Sequence, residues 1–199
     1  VLLAAKDGEI FFHDAFGFHT YDEKKKMRKS DIFDLASISK VIGTTSAVMK
    51  MYDDKLIDLD DKVVTYLPQF KGKQKKYFNH KSNISIKHLL THSSGLPPFR
   101  KYFLMERDKE SVLDSIYNTE PIYGLEEKTV YSDVGIITLG KIVEKVTLKD
   151  LNTYVEDNIT DPLGMHTTFF NPPKEKINRI VPTEINENNS LIKGYVHDE

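Results

Sequence analysis

The stretch DLASISKVIG, residues 34–43, places Ser37 and Lys40 three positions apart inside an otherwise apolar run. This spacing puts both side chains on one face of a helix, with Cβ atoms about 5–6 Å apart. From Ser37 onward apolar residues recur at helical spacing as far as Tyr52, which predicts a buried helix that ends near residue 54. A lysine in such a run costs free energy, so the pair is the first candidate for chemistry.

Ser37 stands where the predicted helix begins. Unpaired backbone N–H groups and the positive end of the helix dipole favour a developing oxyanion there. We expect burial among Leu35, Ile38 and Val41 to lower the pKa of Lys40, because desolvation disfavours the charged form. A partly neutral lysine can accept a serine proton. Alternatively Ser37 only caps the helix and Lys40 extends to water, which the S-x-x-K pattern alone favours because it is common by chance.

The bulk composition narrows the class of protein. The chain has 199 residues, enough for one domain with a core or for one domain plus a lobe. With 39% apolar residues, 29% charged residues and a net charge of −2, it carries no global field that favours nucleic acid. The absence of cysteine excludes disulfides and thiolate metal sites. No apolar run approaches the roughly 20 residues of a membrane-spanning helix.

Turn and helix signals along the chain predict strands, then many helices, then a return towards extended structure. Asp7 and Gly8 lie between two β-prone runs and tolerate positive φ, which predicts a tight hairpin. Further helices are predicted to end at Gly95 and to start near Ser132, and residues 71–83 read as a polar, basic loop. This order is typical of an α+β protein with a helical lobe inserted after an early hairpin.

Three further segments carry a resemblance to a known family. They are LLTHSSGLP at residues 89–97, YSD at 131–133 in the place of a Y-x-N motif, and DPLGM at 161–165. Together with SISK at 37–40, and in this order, they resemble the serine β-lactamase and penicillin-binding-protein superfamily. The resemblance is to the class C β-lactamase-like branch, with its D-Ala-D-Ala carboxypeptidase and esterase relatives. The combination is far more specific than any one motif.

The resemblance implies a fold and a domain plan. The fold is an α+β β-lactamase/transpeptidase-like fold, with an antiparallel sheet flanked by helices and joined to an all-helical lobe. Residues 1–36 would start the sheet domain, residues 37–180 would form the lobe with the nucleophile helix, and residues 181–199 would return towards the sheet domain. We expect the chain to be a fragment that lacks later sheet strands, so that a second segment or chain completes the sheet.

The resemblance also implies an activity and a role for each site residue. Ser37 would be the acylated nucleophile, Lys40 would help to deprotonate it, and Tyr131 would pass a proton to the leaving group or act as the base when held as a phenolate. The protein would be a serine hydrolase acting through an acyl-enzyme on an ester, amide or β-lactam. The alternative is a penicillin-recognising sensor or binding module of the same fold without turnover.

The implied partners are a small-molecule or peptidoglycan-type acyl substrate and no nucleic acid, with no cofactor and no metal. Family members often work outside the cytoplasm, so the resemblance implies a periplasmic or extracellular location. His88 and His92, spaced as a possible metal pair, lack the glutamate of H-E-x-x-H, which favours helix-end packing instead. A substrate-side role for His197 is a weaker hypothesis.

Two departures from the family pattern matter. The third motif of these relatives, K-T-G or H-x-G, does not occur in a plausible place in this sequence. Asp133 stands where lactamases and peptidases carry Asn, and an ionised Asp can only accept hydrogen bonds. A carboxylate beside Lys40 would raise the lysine pKa. This substitution shifts the expected base role towards Tyr131 and favours ester or other acyl substrates over β-lactams, with Asp133 on the substrate side.

Overall fold

A computed structural model describes residues 1–104 and 108–196 of the protein. The chain divides into two compact units, Val1–Ala36 with residues 167–196, and Ser37–His166. The domain division inferred from the sequence, with its second boundary at 180, stays a prediction for the whole protein. In chain order the elements are β1 (Leu2–Lys6), β2 (Glu9–Asp14), a first π-helical segment (Lys40–Thr45), α1 (Ser46–Asp53), α2 (Val63–Tyr66), α3 (Phe78–Asn83), α4 (Ile86–Leu90), α5 (Lys109–Tyr117), α6 (Asp133–Thr147), α7 (Leu151–Val155), a second π-helical segment (Glu156–Thr160), β3 (Glu184–Ile185) and β4 (Leu191–Ile192), with 3-10 turns at Pro68–Lys71, Lys75–Tyr77, Tyr102–Leu104 and Lys174–Arg179.

The first unit opens with the predicted hairpin. Strands β1 and β2 pair antiparallel around Asp7 and Gly8, which have φ values of 53° and 84°. Both turn residues therefore adopt the left-handed conformation that a two-residue hairpin loop requires. Large apolar side chains are exposed along both strands, which distinguishes this hairpin from a sheet covered on one face: Leu2, Leu3, Ile10, Phe11 and Phe12.

Polar contacts tie the rest of the first unit together. The Nε2 atom of His19 lies 2.8 Å from Oδ2 of Asp31, and both side chains are almost fully buried. The same carboxylate oxygen accepts a hydrogen bond from the backbone N–H of Arg28 at 2.7 Å. Ile32 forms a parallel bridge with Ile180, which joins the beginning of the unit to its later part.

The second unit is helical and is organised around α6. This helix begins at an N-cap serine, Ser132, whose hydroxyl oxygen accepts a hydrogen bond from the N–H of Gly135 at 3.2 Å. Such a cap contributes about 1 kcal/mol. Within α6 eight residues are buried, among them Leu139 and Ile142, and the helix packs against α1, α2, α4, α7 and the first π-helical segment. Across the described ranges 1–104 and 108–196, no helix is both long and apolar enough to cross a bilayer.

The helix that follows Ser37 extends to Asp53, as predicted, but it is not buried on all sides. The residues of its inner face, Ala47, Val48 and Met51, are buried in the core. The apolar residues on the other face are exposed to solvent by about half or more: Ile38, Val41, Met49 and Tyr52. The periodicity was a correct indication of the helix and a wrong indication of its burial, because apolar spacing identifies a face but not what covers it.

Residues 71–83 are not the loop that their composition predicts. The stretch forms the 3-10 turn Lys75–Tyr77 and helix α3, and Lys81 of that helix is only 2% exposed. The Lys81 ammonium donates hydrogen bonds to the carbonyl oxygens of Tyr117 at 2.6 Å and Thr119 at 3.1 Å. These carbonyls lie at and just after the end of α5, where helix carbonyls lack intrahelical partners, so Lys81 satisfies them from within the core.

Candidate active site

Ser37 lies at the sharp turn that opens the first helix of the second unit. The preceding residue, Ala36, has a φ of 44°, a left-handed conformation that is unfavourable for a residue with a Cβ atom. The carbonyl oxygen of Ser37 accepts a hydrogen bond from the N–H of Lys40 at 3.1 Å, which closes the first helical turn. Ser37 is exposed, so its hydroxyl is accessible to a substrate at the start of a helix.

Lys40 is the centre of the site. Its Nζ atom donates a hydrogen bond to Oγ of Ser37 at 2.8 Å and lies 3.2 Å from Oδ1 of Asp133. The same nitrogen lies 5.3 Å from the centroid of the Tyr131 ring. The structure therefore brings all four site residues predicted from the sequence to one ammonium group. An ammonium has three N–H donors, and two oxygens, Ser37 Oγ and Asp133 Oδ1, lie within hydrogen-bonding reach of this one.

The pKa of Lys40 is raised above its ordinary value, which corrects the expectation of a lowered one. Partial burial lowers the pKa, but the hydrogen bonds to Tyr131 and Asp133, together with the Asp133 charge, outweigh it. The apolar side chains that were expected to bury the amine are themselves exposed: Leu35, Ile38 and Val41. The structure instead agrees with the second expectation, that the Asp133 carboxylate beside Lys40 raises the lysine pKa. Lys40 is accordingly an ammonium at neutral pH.

Asp133 is held at the first position of α6, where the helix dipole favours a negative charge. Its Oδ1 atom is buried and pairs with the Lys40 ammonium at 3.2 Å, and within residues 1–104 and 108–196 no other group bonds to it. The backbone N–H of Asp133 donates to the carbonyl oxygen of Pro98 at 2.7 Å. Asp133 therefore places a fixed acceptor beside the lysine.

The segment that carries Tyr131 is held by the loop after α4, a relation that the sequence did not reveal. Ser132 donates from its hydroxyl to the carbonyl oxygen of Pro97 at 2.7 Å. Gly95, at a φ of 77°, lets this loop pass close to residue 123, since a Cβ atom there would meet the carbonyl oxygen of Tyr123 at 2.3 Å. No pattern in a single sequence pairs residue 92 with residue 131, so the contacts of His92 were also missed.

The two histidines whose spacing would suit a metal pair have separate partners. His88 bonds through Nδ1 to the capping residue Ser85 and through Nε2 to Glu126 at 3.2 Å. His92 instead accepts a hydrogen bond at Nδ1 from the N–H of Ser132 at 3.1 Å. Within residues 1–104 and 108–196, no three His, Asp or Glu side chains are grouped as metal ligands would be. His197 lies outside the described residues.

Comparison with known proteins places the chain among relatives of one family. The Beta-lactamase family model matches residues 1–191. A putative D-alanyl-D-alanine carboxypeptidase of Escherichia coli K12 is 33% identical, and an N-acetylmuramyl-L-alanine amidase of Bacillus subtilis 168 is 32% identical. Each match covers 100% of this chain and 52% of the relative, so the chain spans about half the length of the curated relatives it matches.

Solved structures show the same fold. A class C beta-lactamase superposes with a TM-score of 0.78 at 20% identity, covering 99% of this chain and 51% of that one. The octameric penicillin-binding protein homologue from Pyrococcus abyssi superposes with a TM-score of 0.74 at 24% identity, covering 95% of this chain and 44% of that one. These likenesses confirm the predicted β-lactamase/transpeptidase fold class. By its matched sequence and its fold, the chain belongs to the Beta-lactamase family.

Proposed function

We propose that the protein is a serine hydrolase in which Ser37 forms an acyl-enzyme with an ester, amide or β-lactam substrate. The observation that carries the proposal is the 2.8 Å hydrogen bond from Lys40 Nζ to Ser37 Oγ. A donor on Oγ leaves the serine hydrogen free to point elsewhere, and it stabilises the negative charge that develops on the oxygen.

Because Lys40 is an ammonium, it cannot take the serine proton, and we assign that step to Tyr131. In the proposed mechanism Tyr131 acts as the base in its phenolate form, with the Lys40 ammonium 5.3 Å from the centre of its ring. The phenolate oxygen accepts the Ser37 proton as Oγ bonds to the substrate carbonyl carbon. The tetrahedral oxyanion receives a hydrogen bond from the Ser37 N–H. The proton then passes from the Tyr131 oxygen to the leaving group as its bond to carbon breaks.

Release of the acyl group follows the same route with water. Water gives its proton to the Tyr131 phenolate and attacks the acyl carbon, and the proton returns to Ser37 Oγ as the ester bond breaks. Lys40 keeps its charge throughout and stabilises Ser37 Oγ whenever that atom carries negative charge. In this scheme Lys40 is an electrostatic catalyst, and Asp133 keeps it protonated.

The substrate class follows from the relatives and from Asp133. The two relatives named above are a carboxypeptidase and an amidase of peptidoglycan-type substrates by their names, which supports an acyl substrate of that kind and a site of action outside the cytoplasm. An ionised Asp133 accepts hydrogen bonds only, and it cannot donate to a substrate amide carbonyl as Asn does. We therefore infer a preference for esters or other activated acyl groups over β-lactams.

Covalent labelling of the full-length protein tests the proposal. A fluorophosphonate and a labelled penicillin are each incubated with the protein, and the adduct is located by mass spectrometry of peptides. Ser37→Ala removes the nucleophile, and Ser39→Ala is a matched control, because Ser39 is an exposed serine two residues along the same turn.

We expect an adduct on Ser37 in the wild-type protein and in Ser39→Ala, and none in Ser37→Ala. Absence of an adduct on Ser37 in the wild-type protein would refute the proposal that the protein is a serine hydrolase. A stable penicillin adduct, with no hydrolysed product from any ester tested, would show instead that the protein is a penicillin-recognising sensor of the same fold.

A further inference from the structure

His92 bonds the chain on both sides of Tyr131. Its carbonyl oxygen accepts a hydrogen bond from the N–H of Val130 at 2.8 Å, and its Nδ1 atom accepts one from the N–H of Ser132 at 3.1 Å. One residue therefore fixes the two backbone amides that flank the proposed proton carrier. This is possible because His92 has a φ of 56°, which turns its carbonyl and its ring towards the same segment.

The His92 ring also contacts the Tyr131 ring directly. The ring centroids are 4.8 Å apart and the planes are tilted by 46°, a favourable arrangement for an aromatic pair. Tyr131 is half exposed and has Lys40 near its ring. Contact with His92 therefore limits the rotation that an exposed tyrosine would otherwise have.

The hydrogen bond at Nδ1 fixes the protonation state of the ring. An atom that accepts from a backbone N–H carries no proton, so His92 is the neutral tautomer with its hydrogen on Nε2. Partial burial lowers the pKa of His92, and the Lys40 charge adds to this effect while the Asp133 charge opposes it. The neutral form is therefore the one present at neutral pH.

The same loop holds the residues after Tyr131. Pro97 and Pro98 accept hydrogen bonds through their carbonyl oxygens from the Ser132 hydroxyl and the Asp133 N–H, each at 2.7 Å. The backbone N–H groups of Val130, Ser132 and Asp133 are thus all bonded to this loop. Within this set, His92 is the member that also touches the Tyr131 side chain.

We propose that His92 is a positioning residue, whose Nδ1 hydrogen bond to the Ser132 N–H holds the Tyr131 oxygen in line for proton transfer to and from Ser37. This inference rests on the proposed function of Tyr131. His92 itself takes no proton in the reaction. A misplacement of about 1 Å in a reacting group can cost about 10²-fold in rate, which sets the scale of the expected effect.

Two substitutions separate the acceptor from the backbone conformation. His92→Asn keeps an acceptor at the position of Nδ1 and tolerates positive φ, whereas His92→Gly tolerates positive φ and has no acceptor. His88→Asn is the matched control, since His88 bonds Ser85 and Glu126 and not the Tyr131 segment. The readout is labelling of Ser37 by a fluorophosphonate over a range of concentrations, which gives a maximal rate and a half-saturating concentration.

We expect His92→Gly to lower the maximal rate by about 10- to 100-fold with little change in the half-saturating concentration. His92→Asn should recover most of that loss, and His88→Asn should label at the wild-type rate. Equal rates for His92→Gly and the wild type, or equal loss in the Gly and Asn variants, would overturn the proposal. If His92→Gly does not fold, His92→Ala takes its place, and its labelling rate is corrected for the folded fraction measured by urea unfolding, because Ala also carries the strain of a positive φ.

A double substitution tests whether His92 acts through Tyr131. In a Tyr131→Phe background the oxygen to be positioned is gone, so His92→Gly should lower the rate further by less than about twofold. The same 10- to 100-fold loss in that background would show a general structural role and would contradict the proposal. Failure of the proposed function is a separate result, because then the wild-type protein itself does not label at Ser37.

Discussion

Replacement of Lys81 by methionine should change the way in which stability depends on pH. Lys81 is 2% exposed, and its ammonium donates hydrogen bonds to two backbone carbonyl oxygens. Burial lowers its pKa from 10.5 to about 8. In the unfolded chain the lysine keeps its proton up to the ordinary value, so between these two pKa values the unfolded state binds more protons than the folded state.

Stability supplied by this group therefore rises with pH through that window. A pKa difference of this size corresponds to about 3 kcal/mol in full. Between about pH 7 and about pH 9.5 the wild-type protein should gain about 2 kcal/mol from Lys81 alone. Lys81→Met has a similar length, no charge and no titration. It also leaves the carbonyls of Tyr117 and Thr119 without their donor, at about 1–3 kcal/mol each, and this cost does not vary with pH.

The measurement is urea unfolding of the wild type and Lys81→Met at several pH values across this range. The difference between the two free energies of unfolding is the quantity of interest, because all other titrating groups are common to both proteins. Lys75→Met, at an exposed lysine in the same stretch, reports the effect of losing one positive charge. A difference that stays constant, or that shrinks as pH rises, would show that Lys81 is not held in the low-dielectric setting described above.

Three further substitutions test the site and the loop beside it. Lys40→Ala should abolish labelling of Ser37 while the melting temperature stays within a few degrees, and burst kinetics retained in that variant would remove the lysine from the mechanism. Asp133→Asn should lower the pKa of Lys40 and raise the rate of penicillin acylation, measured by stopped-flow, so an unchanged or slower rate would contradict the role given to Asp133. Gly95→Ala should destabilise the protein by about 2–4 kcal/mol in urea unfolding, because its Cβ atom would collide with the backbone of Tyr123 at a left-handed φ, and a loss below about 1 kcal/mol would show that the loop can shift.

Features set by neighbouring residues were predictable from the sequence. The turn at Asp7 and Gly8, the helix after Ser37 and the start of α6 at Ser132 all follow from turn, spacing and capping chemistry within a few residues. The convergence of Ser37, Lys40, Tyr131 and Asp133 was predicted from the resemblance of the motifs. Helical spacing alone relates Ser37 only to Lys40.

Features set by distant partners were not predictable. The charge state of Lys40 depends on Tyr131 and Asp133, more than ninety positions away in the sequence. Its apolar neighbours alone therefore predicted a lowered pKa, whereas the pKa is raised. The buried position of Lys81 depends on carbonyls of α5, and its own basic surroundings in the sequence indicated a solvated loop. The contacts of His92 depend on a loop geometry with a positive φ that no local pattern specifies.

All four side chains of the site belong to one compact unit, Ser37–His166, although they come from two segments about ninety residues apart in the sequence. The distances among them are therefore fixed by the packing of α6 against the first π-helical segment and α1. Under the proposed function, changes within the other unit, Val1–Ala36 with residues 167–196, leave these distances unaltered. The proposed proton-transfer geometry is in this sense carried by a single unit of the chain.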